Sequence, residues 1–155
     1  MNSDYIQHLK MIERVVTRLA DNSFRYKGWS ITLVSVLLAL AAKDMQPGYA
    51  LVGVLPAICF WWLDSYFLRQ ERLYRRLFEK VRANGIGPGA PPTDFSMKTI
   101  APAPTDADAS NYTLSGVAFS KTIAWLHIPL VLALIAVAVI VWIVGPHPAL
   151  PAARN

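Results

Sequence analysis

Apolar side chains recur at Tyr5, Leu9, Ile12, Val16 and Leu19, at spacings of 4, 3, 4 and 3. That period is the seam of a helix that packs on another helix. Lys10, Glu13, Arg14 and Arg18 take the remaining surface. Asp21-Asn22-Ser23 then punctuates the pattern; it can end this helix, cap the next, or sit inside one continuous helix. Beyond it come three long uncharged windows, Gly28–Ala42, Met45–Leu63 and Thr122–Ala153, the last apolar as far as Val144. At helical rise Ile123–Val144 covers roughly 33 Å and Met45–Leu63 roughly 28 Å, against a hydrocarbon core of about 30 Å. Gly28–Ala42 covers only roughly 22 Å, but Arg25, Lys27 and Lys43 can snorkel at its ends. The pattern predicts an all-α integral membrane protein with three transmembrane helices. The first two form a hairpin, because the link Lys43–Gly48 is too short for anything but antiparallel neighbours.

The second window does not stop at the membrane. From Ala57 to Ala83 no Gly or Pro intervenes, and apolar sequence passes through an aromatic and acidic knot into a basic amphipathic segment. One helix can therefore leave the bilayer and continue into water, with Asn84-Gly85 as its left-handed stop. Pro56 inside it should kink the helix or free a carbonyl. Residues 83–120 carry five prolines, four glycines and few aliphatics, the character of a flexible linker with one island, Thr93–Met97, able to dock. Five segments result: an amphipathic helix over 1–22, a hairpin with its extension over 23–82, a linker over 83–120, a third span over 121–145 and a short tail over 146–155, where Pro146, Pro148 and Pro151 end the span.

Small or hydroxyl residues mark the first span at Gly28, Thr32, Ser35, Ala39 and Ala42, and the second at Ala50, Gly53 and Ala57. In lipid such stripes let backbones approach closely. They are expected to close the hairpin; the alternative is a pore line between protomers at Thr32 and Ser35.

Composition sharpens the picture. The 155 residues are 54% hydrophobic and only 16% charged, where a soluble domain carries about a quarter. The one cysteine, Cys59, excludes an internal disulfide and reads as apolar filler. Ala39-Leu40-Ala41 imitates a signal-peptidase site, but its leader would be too long and partly acidic, so an uncleaved chain is expected. Thirteen of the Lys and Arg residues fall in 1–27 and 64–121, against Lys43 and Arg154 on the other side. The asymmetry predicts a cytoplasmic N-terminus and centre and an external C-terminus.

Asp64 closes the second span at the depth of Arg25, Lys27 and Trp29, so an interhelical ion pair with Lys27 or Arg25 is expected; an ion-handling carboxylate is the alternative. Trp29, Trp61, Trp62 and Tyr66 read as the aromatic belt of the cytoplasmic interface. Arg69, Arg72, Arg75, Arg76, Lys80 and Arg82 form a basic cytoplasmic face, with Leu73, Leu77 and Val81 on another side for packing against residues 5–19. That face suits anionic inner-leaflet lipid, while nucleic acid is not expected because no recognition motif accompanies it. His127, two turns into the third span, suits a helix–helix hydrogen bond, with a proton switch as the alternative. There is no zinc spacing, phosphate loop, nucleophile elbow or pair of carboxylates in a span, so neither an enzyme nor a bound cofactor is expected.

HLKMIERVVTRLADNSFRYKGWSITLVSVLLALAAKD, FWWLDSYFLRQERLYRRLFEKVR and TDFSM together resemble a widespread family of small bacterial membrane proteins. The layout is also similar to SLATT-type membrane effectors, which occur beside nucleotide-signalling and antiphage genes. That resemblance implies an inner-membrane protein that self-associates into a pore or disrupts the membrane in defence or stress. The other reading is a non-conducting scaffold that anchors a protein partner through the basic helix and the Thr93–Met97 island.

Overall fold

A computed structural model describes residues 3–84 and 94–145, and among them the chain is all-helical, without strands. Two long antiparallel helices, α1 (Ser3–Asp44) and α2 (Pro47–Asn84), meet at a two-residue turn. A 3₁₀ turn over Ala109–Tyr112 and the short α3 (Leu114–Ala118) lead into α4 (Lys121–Val144). The Gly85 half of the α2 stop signal, linker residues 85–93 and the tail prolines lie outside the described residues.

The helix α1 passes without a break through Asp21-Asn22-Ser23, so the boundary expected after residue 22 is not a break in structure. Its buried residues are Tyr5, His8, Ile12, Ser23, Ser30, Val34 and Ala41, which share one side of a helix with 3.6 residues per turn. The seam of the polar half and the inner face of the apolar half are thus in phase, and a single helix serves both. The turn needs one left-handed residue, Met45 at φ 50°. The helix α2 likewise continues through Pro56.

The hairpin keeps register along its whole length. At the far end the Tyr5 hydroxyl donates to the Arg82 carbonyl at 3.0 Å. In the middle Tyr26 stacks on Phe67 with ring centres 5.1 Å apart. Near the turn Val34, Ala41, Ala50 and Ala57 form one buried cluster with Leu134 and Ala138 of α4. Gly53 is required where α4 approaches, since a Cβ there would lie 2.9 Å from Leu134 Cδ2 and 3.1 Å from Leu37 Cδ1. His127 near the start of α4 touches Asp64, and Gly145 at its end abuts the Met45 carbonyl, so α4 runs parallel to α1 and antiparallel to α2.

The two halves of the hairpin differ in cover. Residues 28–63 are joined by α4 in a three-helix bundle whose outer surface is itself apolar, with Leu51, Val52, Leu55, Trp125, Leu132 and Trp142 exposed. Two of its helices, Pro47–Asn84 and Lys121–Val144, are long and apolar enough to cross a membrane. Over the other half the linker returns as a strap. From Asp106 to Ala118 it is ordered by the 3₁₀ turn and α3, where the sequence pattern anticipated flexible chain. The Thr113 hydroxyl caps α3 by accepting from the Gly116 N–H.

Candidate functional site

Three helices converge on one carboxylate. Asp64 of α2 is fully buried. Its Oδ1 accepts from Lys27 Nζ of α1 at 2.7 Å and from the Ser23 hydroxyl one turn earlier. Lys27 Nζ also reaches Ser23 Oγ at 2.8 Å. From α4, His127 Nε2 lies 3.1 Å from Asp64 Oδ2, placed for its N–H to donate to the carboxylate. The positions follow from helix geometry: Ser23 and Lys27 are one turn apart on the inner face of α1, and the hairpin register sets Asp64 opposite them. Lys27 stays partly solvated, with 23% of its side chain exposed, so its head can face water while serving the buried acid.

Aromatic rings seal the cluster on the α4 side. Trp61 lies parallel to the His127 imidazole, with ring centres 6.1 Å apart and planes 3° apart. Its indole N–H donates to the Ala118 carbonyl at 3.0 Å, and Phe119 packs edge-on at 5.6 Å. His127 Nδ1 and, on α1 three residues past Lys27, the buried Ser30 hydroxyl find no hydrogen-bond partner among the described residues. A buried carboxylate held by an ammonium, a hydroxyl and an imidazole is compensated. Its chemistry is that of a latch that fixes three helices at one depth.

Of the predicted ion-pair partners, Lys27 sits against Asp64 while Arg25 is exposed and takes no part. Of the four aromatic residues expected at an interface, Trp29, Trp62 and Tyr66 are exposed, while Trp61 is turned onto α3 and α4. The expectation that Gly28, Thr32, Ser35, Ala39 and Ala42 close the hairpin is not met. All five are exposed, on the side of α1 away from its own core, and Thr32 bonds only back to the Gly28 carbonyl at 3.0 Å. Val34 and Ala41 do that work instead, because the inner face must stay in phase with Ile12 and Ser23. The α2 stripe, Ala50, Gly53 and Ala57, is buried.

The basic face is occupied by the chain itself. Arg69 Nε donates to the Tyr112 carbonyl at 2.6 Å and Arg72 Nη1 to the Asn111 carbonyl at 2.9 Å. Arg76 pairs with Asp106 at 3.6 Å and lies over the Tyr112 ring, 5.5 Å from its centre. Arg75 pairs along its own helix with Glu71, Arg82 with Glu79, and Lys80 is exposed. The docking island lands on α1: the Ser96 carbonyl meets Nε2 of buried His8 at 3.0 Å, and Phe95, at φ 50°, packs on the imidazole 5.6 Å away.

Sequence reasoning missed Ser23, read as punctuation, and the pairing of His127 with Asp64. The signal was depth: both lie at the same end of their apolar windows. His8 carried no signal, since only the returning strap buries it. Among the described residues no group of three His, Cys, Asp or Glu is arranged to hold a metal. No family model, curated protein or solved structure matches the chain.

Proposed function

We propose that this chain is a three-span inner-membrane protein that self-associates through the outer face of α1 and acts as a pore-forming or membrane-disrupting effector. The observation that carries the reading is the stripe Gly28, Thr32, Ser35, Ala39 and Ala42, exposed on α1 opposite the face that packs inward. Small residues facing lipid offer it little contact, whereas a second backbone can approach them closely and bond to their hydroxyls. A second copy of the chain is the occupant that fits, because its stripe has the same period. The layout shared with SLATT-type effectors agrees with this.

The scaffold reading loses ground on one point. Arg72 and Arg76, which would hold a partner, are engaged by residues 106–112 of the same chain, and Arg75 is engaged by Glu71. In this proposal Gly28–Ala42 supplies the third span, with Arg25 and Lys27 at the cytoplasmic boundary and Lys43 at the other.

Cysteines at Thr32 and Ser35 should crosslink copies in membranes, and overproduction should depolarise cells. Bulky Thr32→Phe or Ser35→Phe should abolish both while the protein still accumulates. A stable monomer that leaves membrane potential unchanged sinks the effector reading. Phosphatase fusions should be active at residue 45 and after 155 and silent at residue 90; activity at 90 would overturn the orientation.

A further inference from the structure

We propose that Arg69, Arg72 and Arg76 form a binding site for the phosphate headgroups of anionic phospholipid, and that the strap over residues 106–118 is a cover exchanged for lipid. The inference rests on the membrane reading above and adds a regulated ligand site to it. The three arginines share one face of α2, at spacings of 3 and 4. They stand five, eight and twelve residues past Asp64, which is roughly 8, 12 and 18 Å along the helix. Asp64 marks the end of the apolar window, and the headgroup layer beyond it is roughly 5–8 Å deep. Arg69 therefore starts within that layer, and side chains as long as those of Arg72 and Arg76 can lean back into it.

Their present acceptors are weaker than phosphate. Arg69 and Arg72 hold neutral backbone carbonyls of Tyr112 and Asn111. Arg76 meets a carboxylate, Asp106, at a stretched 3.6 Å, and its buried Nη1 has no hydrogen-bond partner among the described residues. Guanidinium groups bind phosphate oxygens in charge-assisted, often paired bonds roughly twice as strong as neutral ones. The cover is acidic in the stretch that lies on these arginines, with Asp106 and Asp108, so an anionic surface would repel it as it drew the arginines. Strap and headgroup compete for the same donors. Release of the strap would also loosen the Trp61–Ala118 contact beside the Asp64 latch, which joins lipid binding to the packing of α4.

The test uses the full chain in nanodiscs of phosphatidylcholine, alone or mixed with phosphatidylglycerol, with amide hydrogen exchange followed at residues 106–118. Anionic lipid should speed exchange there about tenfold, while residues 30–41 of α1 stay protected. Asp106→Asn, which leaves the arginines intact, should give faster exchange already in phosphatidylcholine. Arg69→Gln/Arg72→Gln should expose the strap in both lipids and remove the difference between them. Equal strap protection of the natural chain in both lipids overturns the proposal. Release by inorganic phosphate in phosphatidylcholine discs overturns its assignment to lipid. Extraction of the chain from membranes by alkaline carbonate would instead defeat the membrane reading itself, so the two failures are distinguishable.

Discussion

The two halves of the α1–α2 hairpin share one antiparallel seam and are finished by opposite means. In the apolar half the third layer is α4, a helix apolar on every side, seated by Gly53 and Ala57 and by the buried carboxylate near its N-terminal end. In the polar half the third layer is irregular chain, held by arginine side chains on its backbone carbonyls. With the apolar half in lipid, as proposed above, there is no hydrophobic gain in pairing its helices, so close packing and a few satisfied polar bonds must supply association. In water, burial of Tyr5, Ile12 and Leu73 contributes at ordinary rates, and the strap needs only to cover and cap. The apolar half is therefore intolerant of changes in size and charge. The polar half should tolerate them and open locally.

The sharpest way to break this contrast is at Asp64. Asp64→Ala leaves Lys27 and His127 without their shared acceptor and should cost about 3–5 kcal/mol, as loss of one member of a buried pair does. Unfolding in detergent would measure it, and Asp64→Lys with Lys27→Asp should recover only part, because His127 would then face an ammonium. A cost under about 1 kcal/mol would instead make the carboxylate available for handling ions.

Next in size is Gly53→Val, which drives a branched side chain into Leu134 and Leu37. Overpacking of this kind costs about 1–3 kcal/mol, and a cysteine crosslink between α2 and α4 should weaken in step with the melting temperature. The matching change in the other half is Gly116→Ala. Its Cβ would meet the Ser110 carbonyl, so the turn must unravel. Hydrogen exchange should then rise across 106–118 while global stability in detergent holds within about 1 kcal/mol. A global loss would mean that the strap is part of the core and that the two halves are not independent.

The smallest effect falls at the join between them. Trp61→Phe keeps most of the ring against His127 but deletes the donor to the Ala118 carbonyl, worth about 1 kcal/mol. It should raise exchange at Ala118 and Phe119 more than anywhere in α1.

Helical class, the hairpin, the long continuous α2 and the depth of Asp64 were legible in residue order, because hydropathy period and helical rise are local properties. Lys27 was within reach of the same reasoning, since a short turn sets antiparallel register. Which face of α1 turns inward was not legible. Two stripes, one small and polar and one of Ser23, Ser30, Val34 and Ala41, have equal helical periods, and only the partner helices choose between them. The return of the strap was equally hidden. Arg69 and Arg72 reach main-chain carbonyls, which every residue possesses, and Asp106 and Tyr112, which meet Arg76, stand in no local pattern that announces the contact. His127 found Asp64, and His8 found Ser96, across separations of 63 and 88 residues. Pairings of that range depend on how helices pack side by side, and no local pattern encodes them.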